Sequence, residues 1–290
     1  MNIHSILKQL FYRAPLADEA GGQVIRAALE SRRPAMIARF GSVEIKGVLY
    51  PLTPSVLKPI FRKRVFTDMK NNAGFFSVSE HSLDVFSSMM VEDMRLLDVL
   101  GSWRAEERLL EKEFSNAHRV DLKCLEPYLS KNPWSEMLTG KKVLVVHPFS
   151  RTIEHQYFEK RALLFQDQRV LPEFQSLQTI KAVQTVAGGN GGFATWFDAL
   201  GFMKSQIDSK DFDVAILGCG AYGFPLAAHI KRMGKQAVHM GGPTQILFGI
   251  KGNRWDHHPV ISKLYNDYWV RPTADDRPAN AEKVENGCYW

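Results

Sequence analysis

Cysteine is scarce and scattered. Cys124, Cys219 and Cys288 are the only three in 290 residues, and none belongs to a CxxC or Cys/His spacing. That excludes a disulfide framework and a cysteine-held zinc site, and it fits a reducing compartment. Long apolar runs are missing as well. The longest stretch without Asp, Glu, Lys or Arg, Val214 to Ile230, is 17 residues long but holds three glycines and Pro225. It reads as a strand, a turn and a helix start, short of the roughly 20 apolar residues that a bilayer requires. Charge of one sign is not concentrated either. The chain has 37 Lys and Arg against 31 Asp and Glu, a balance of +6, and the cations are spread along it rather than gathered in a stripe, so no nucleic-acid partner is expected. Internal repeats and low-complexity segments are absent.

Near the start, Ile3, Ile6, Leu7, Leu10 and Phe11 recur at helical spacing, with His4, Lys8 and Arg13 beside them. This predicts a short helix over Met1–Arg13, either packed on the body or resting on a membrane surface. No secretory-type run is present there. A cytoplasmic location is expected, with the inner face of the cell membrane open to peripheral contact.

What is there is an alternation of short β-branched runs and longer helical stretches, the pattern of an α/β fold with a mainly parallel sheet. Ala17 to Ser31 reads as helix. Ala35 to Phe40 follows as a strand that closes at Gly41-Ser42-Val43-Glu44. From about Thr53 to Trp134 the chain reads as mostly helical, with Leu83, Phe86, Met90, Met94 and Leu97 as an apolar stripe suited to core packing. Lys142 to His147 is a buried strand, followed by helix over Ile153 to Phe165. Further strands are expected at Ile180 to Ala187, Val214 to Leu217 and Gln236 to Met240. The Val214 strand leads into a helix through Met233, with Pro225 near its start and Gly234 just past its end, where each residue is conformationally suited. Residues from about 251 to 290 read as a tail wrapping the body. The whole chain, 1–290, is expected to form one Rossmann-like unit with helices on both faces of the sheet.

Several strands thus end in glycine- or proline-bearing loops, where open parallel sheets gather their ligands. Gly218, Gly220 and Gly223 form GxGxxG between a strand and a helix, the context in which backbone amides and a helix N-terminus receive a diphosphate. The NAD version of this motif needs an acid about 20 residues on for the ribose. Here the next strand ends at His239-Met240-Gly241-Gly242 with no carboxylate before Asp256, and Tyr222 would crowd the turn. Arg39 to Glu44 is the second candidate: Arg39 can neutralise a phosphate, and Glu44 can hold a ribose or a metal or take a proton. The Gly188 to Gly192 loop can cradle a phosphate or simply connect, with Asn190 suited to a left-handed turn. His147 ends a buried strand and reads first as a core histidine. His155, His257 and His258 lack the i,i+4 pairing of a helical zinc site, and no GxSxG nucleophile elbow occurs.

These residues resemble a family. RFGSVE after an early strand is similar to the RxGDGE-type segment of bacterial glycosyltransferases with the GT-D fold, Rossmann-like enzymes that use sugar nucleotides to build surface glycans. The stretches GNGGFATWFDAL, ILGCGAYGFPLAAHIKRMGK, GGPTQILFGIKGNRW and VENGCYW resemble proteins of bacterial polysaccharide loci related to that fold. The resemblance implies a nucleoside-diphosphate sugar bound by Arg39, Gly41, Ser42, Gly218, Gly220, Tyr222 and Gly223, with Glu44 as the catalytic carboxylate. It implies a glycan or lipid-linked glycan as acceptor. The family's metal-binding Asp-x-Glu maps onto Ser42-Val43-Glu44, so Glu44 alone is left to meet a Mn²⁺ or Mg²⁺ ion. Glu154 and Asp198 are further carboxylates expected near strand ends, and Tyr289 and Trp290 are candidates to cover a sugar face or to dock on the body. Two other classes fit a glycine loop after a strand: a Rossmann enzyme using S-adenosylmethionine or NAD, and a non-catalytic scaffold of polysaccharide assembly.

Overall fold

The computed structural model describes residues 14–185, 189–277 and 287–290. The helix expected over Met1–Arg13 lies outside them, as do Gly188 and the first residues of VENGCYW.

The most apolar segments make the centre of the sheet. β1 (Ala35–Ala38), β6 (Val214–Leu217) and β7 (Gln236–His239) are buried along their whole length, and β4 (Lys142–His147) is buried from Val143 onward. Continuous apolar strands of this kind suit a parallel sheet covered on both faces. With β2 (Val99–Ser102), β3 (His118–Asp121) and β5 (Ser176–Lys181) they form seven parallel strands in the order β3-β2-β1-β7-β6-β4-β5. The register sets Ile37, Val238, Ile216 and Val145 in one row across four strands. Because side chains alternate along a strand, that row feeds one core while Met36, Ala237, Ala215 and Leu144 feed the other.

The face that carries Met36 is covered by α2 (Glu44–Leu52), α3 (Lys58–Asn71), α4 (Glu80–Met94), α7 (Trp196–Asp208) and α8 (Gly223–Arg232). The other is covered by α1 (Asp18–Glu30), by 3₁₀ turns between residues 122 and 138, by α5 (Ser150–His155) running through a π turn into α6 (Arg161–Leu164), and by α9 (Thr244–Leu247). Leu83, Phe86, Met90 and Met94 lie on α4 with Leu97 just beyond it, and all five are buried core residues as the stripe implied. Ser79 opens α4 with a reciprocal cap to Ser82, and Gly234 ends α8 at φ +83. Among the described residues no helix is long and apolar enough to cross a membrane.

The architecture is the expected α/β, Rossmann-like one, and its sheet is parallel throughout, but three strands differ from the sequence expectation. β2 and β3 fall inside the section expected to be helical. β2 is only four residues and includes Gly101, where an added Cβ would meet Leu125 at 2.5 Å. β3 is the polar sequence HRVD; its place comes from pairing with β2 and from Leu16, which exchanges backbone hydrogen bonds with Arg119 and Asp121 at 2.9 and 2.7 Å. β5 begins at Ser176 rather than Ile180, because pairing from Lys142–Ser176 to His147–Lys181 fixes its length against β4.

Candidate functional site

The chain leaves β1 toward one edge of the sheet and β4 toward the other, and β6 and β7 fill the gap between them. This arrangement opens a crevice at the carboxyl ends of the central strands. A cavity of about 220 Å³ lies there. Arg39 and Gly41 to Glu44 after β1, His147 to Phe149 at the end of β4, Gly218 to Tyr222 after β6, and His239, Gly241 and Gly242 at the end of β7 all line it, together with Arg254 and Tyr289. Of the residues expected in the site, Arg39, Gly41, Ser42, Glu44, Gly218, Gly220 and Tyr222 are brought together here. Gly223 is not on the wall.

Arg39 is the dominant charge. Its guanidinium lies 4.9 Å from the centroid of the Trp103 indole, whose Nε1–H donates to the Phe40 carbonyl at 2.9 Å and so holds the ring in place. Its Nε is buried without a hydrogen-bond partner, and among the described residues the side chain has no ion pair at 4 Å or less. Burial lowers its pKa, and Glu44 and Tyr289 oppose that while Arg254 reinforces it. A guanidinium does not lose its proton at neutral pH, so Arg39 stays charged despite the cost of enclosing it. Gly241, at φ +74, leaves room for it: an added Cβ would sit 3.2 Å from Arg39 Nη1.

The three motif glycines do different work. A Cβ on Gly218 would meet His147 Cδ2 at 2.5 Å and Thr244 at 2.7 Å, and one on Gly223 would enter the His239 ring at 2.1 Å. Those two allow the helix and the adjacent loops to close on the sheet. Gly220 alone has a positive φ, +56, and open space around it; it shapes the turn facing the cavity. Tyr222, far from crowding that turn, stacks on Trp196 at 4.7 Å and hydrogen-bonds Thr185 at 2.9 Å. Thr185 already donates to the Gly74 carbonyl at 2.6 Å, so Tyr222 is the donor between them. Cys219, beside them, is a protonated thiol whose pKa burial pushes to about 12.

Two histidines on the wall are held neutral by burial, their pKa values lowered to about 3; at His239 the charge of Arg39 adds to the effect. Their tautomers are opposite. His147 Nδ1 accepts from the Phe149 N–H at 3.0 Å, which puts the ring hydrogen on Nε2. His239 Nδ1 faces the Leu217 carbonyl at 3.2 Å and must donate to it, which leaves Nε2 as an acceptor. The pair adds one neutral donor and one neutral acceptor to the site.

Glu44 is the first residue of α2, and its carboxylate folds back over Gly41: a Cβ there would lie 1.7 Å from Oε2. Among the described residues it is the one Asp or Glu side chain lining the cavity. The other two carboxylates do not join it. Glu154 accepts from the Thr179 hydroxyl at 2.7 Å beside β5, and Asp198 is spent on the α7 cap, accepting from the Thr195 N–H at 2.9 Å and its hydroxyl at 2.8 Å. Among the described residues no group of three His, Cys, Asp or Glu side chains could hold a metal ion. Glu44, His147 and His239 all line the cavity, but they are not gathered closely enough to hold a divalent ion between them.

The glycine loop after β5 behaves differently from its sequence reading. Asn190 is not left-handed; Gly191 and Gly192 take that role at φ +61 and +85, and Asn190 Oδ1 accepts from the Gly192 N–H at 3.1 Å. The cavity instead takes Val183, Gln184 and Thr185, which precede the loop. Tyr289 reaches the cavity with one ring face covered by Arg254 at 4.7 Å, while buried Trp290 donates from Nε1 to the Asp276 carbonyl at 3.0 Å. Gln245 ties the segment down, donating to the Tyr289 carbonyl at 3.1 Å. Sequence reasoning missed Trp103, Arg254 and His239. Trp103 hid in the section read as helical. His239 ends a strand as His147 does, which was the available signal.

No protein-family model matches the chain, and no curated protein matches it. Among solved structures, the chain is similar to a selenomethionine-substituted domain of unknown function 1792, with 16% identity, 83% of each chain covered and a TM-score of 0.39. It is also similar to a structure of that domain described as having a distinct glycosyltransferase fold, with 15% identity, 83% of this chain and 82% of that one covered and a TM-score of 0.36. A third is described as a new glycosyltransferase of this domain type from Streptococcus sanguinis, with 12% identity, 79% and 82% covered and a TM-score of 0.36.

Proposed function

We propose that the cavity binds a nucleoside-diphosphate sugar and that the chain transfers the sugar to a glycan or lipid-linked glycan acceptor. Arg39 carries this reading: a guanidinium enclosed beside Trp103, without a hydrogen-bond partner among the described residues, on the wall of a glycine-lined cavity. A diphosphate supplies the acceptor oxygens and the opposite charge that Arg39 lacks, in the planar geometry a guanidinium favours. The open Gly220 turn admits the phosphates close to the backbone. The placing of the activity in bacterial surface polysaccharide synthesis rests on the sequence resemblance alone.

In the proposed reaction an acceptor hydroxyl attacks the anomeric carbon. The bond from that carbon to the diphosphate oxygen breaks, and its electron pair leaves with the nucleoside diphosphate. Arg39 and Arg254 offset the charge that develops there, and Glu44 takes the hydroxyl proton. His147 Nε2–H is available to a phosphate or sugar oxygen and His239 Nε2 to a sugar hydroxyl; neither competes for the proton. No step is routed through a metal ion, and an ion arriving with the donor would draw most of its ligands from the diphosphate.

The test is a thermal-shift panel of UDP, GDP, CDP and ADP with their sugars, with and without Mn²⁺, alongside NAD and S-adenosylmethionine. One nucleoside diphosphate and its sugar should raise the melting temperature by mass action on the folded state. A shift with NAD or S-adenosylmethionine alone would favour the other Rossmann chemistry, and no shift at all would favour the scaffold.

A further inference from the structure

We propose that the tip of the α2–α3 hairpin is a docking surface for an anionic membrane. α2 starts at the cavity with Glu44 and ends at Leu52; α3 returns from Lys58, and Asn72 and Ala73, just beyond its end, line the cavity again. The two helices pack on each other. At about 1.5 Å per residue, the tip stands about 13 Å from the cavity along α2 and about 21 Å along α3.

That tip is bare. Leu52, Val56 and Ile60 are 59%, 78% and 70% exposed, and Leu57 and Phe61 are 41% and 47% exposed. Single exposed apolar side chains are ordinary, whereas a contiguous group marks a contact surface. Residues 52–64 also contain Lys58, Arg62, Lys63 and Arg64 and no Asp or Glu. The helical repeat sets Lys63 and Arg64 beside Ile60, on the side of α3 opposite the buried Val65 and Met69. Arg62 meets Glu80 at 3.0 Å and Arg64 meets Asp68 at 3.8 Å, exposed pairs that contribute little and leave both cations at the surface.

Charge complementarity selects the occupant. A second copy of this tip would bring cations against cations. Anionic headgroups accept the cations while the apolar side chains enter the acyl boundary, the way interfacial helices bind. Docked so, the cavity would stand about a helix length above the bilayer, within reach of an acceptor carried on a lipid. The docking does not rest on the transfer reading, because it is measured without any sugar nucleotide.

The experiment is vesicle flotation of the full chain with phosphatidylcholine alone and with phosphatidylcholine mixed with phosphatidylglycerol. Two paired variants, Val56→Asp with Ile60→Asp and Lys58→Glu with Lys63→Glu, are compared with Leu109→Asp, an exposed apolar residue elsewhere. The wild type and L109D should float with the anionic vesicles only. Both paired variants should lose about tenfold or more in apparent affinity, at an unchanged melting temperature. Equal flotation with both vesicles, or none, overturns the proposal, as does undiminished flotation of the paired variants. A fall in melting temperature of the Val56/Ile60 pair would show the tip covered by other parts of this chain. A concentration-dependent dimer dissolved by that pair would make the occupant a second copy.

Discussion

Arg39→Met separates ligand binding from stability in a way that few site substitutions do. In the free protein the guanidinium is enclosed, with Nε unsatisfied among the described residues and the Trp103 ring against it. An unsatisfied buried polar group costs about 1–3 kcal/mol, and the ring contact returns about 0.5–2 kcal/mol. Methionine keeps an unbranched chain of similar reach and its own favourable contact with the indole. The free R39M protein should therefore melt within about 2–4 °C of wild type, or above it. Binding should move the other way. Loss of charge-assisted hydrogen bonds worth about 1.5–3 kcal/mol predicts a nucleoside diphosphate Kd about 10- to 150-fold weaker. Differential scanning fluorimetry of the free protein and calorimetric titration with the nucleotide that shifts wild type measure the two effects separately. Undiminished affinity in folded R39M would refute the assignment of Arg39. A large loss of stability in the free protein would refute the argument that this cation waits for a partner.

Glu44→Gln should leave the melting temperature and nucleotide affinity close to wild type while transfer, followed as nucleoside diphosphate release, falls by about 10²-fold or more; normal turnover would remove Glu44 from the mechanism. Gly223→Ala drives a Cβ into the His239 ring and should destabilise by about 1–3 kcal/mol in urea unfolding, whereas Gly220→Ala, strained only by its positive φ, should cost about 1–2 kcal/mol and weaken nucleotide binding as well. His147 and His239 have folded pKa values lowered to about 3 from the usual 6.5, so below pH 6.5 the unfolded chain takes up protons that the folded one refuses. Stability is full above pH 6.5 and falls on acidification toward about pH 3, by up to about 1.4 kcal/mol per pH unit for each histidine. Urea titrations at pH 7.5 and 5.5 on wild type and His147→Asn should show a shallower pH dependence in the variant; an identical slope would mean that the ring is protonated in the folded protein.

Local chemistry already written in the chain decided a good part of this protein. Runs such as KVLVVH and VAIL have no polar face to offer water, so they become central strands covered on both sides, and the strand–glycine–helix order after β6 places a turn at the strand ends. The apolar stripe of α4 follows from its spacing alone. That Arg39, Glu44, Gly218, Gly220 and Tyr222 would gather at the strand-end crevice was legible because each follows a buried strand at its carboxyl end. Other features depended on contacts between distant segments. HRVD becomes a strand only beside β2 and Leu16, since nothing in its own sequence favours one. Trp103 becomes the platform for Arg39 because a backbone carbonyl at Phe40 orients its indole. His147 and His239 acquire opposite tautomers from whichever backbone group each ring nitrogen meets, and Glu154 and Asp198 leave the site because Thr179 and Thr195 take their oxygens. Periodicity and composition act over a few residues and therefore determine elements, whereas partners, burial and proton positions are set by groups far apart in sequence that only the folded chain brings within hydrogen-bonding distance.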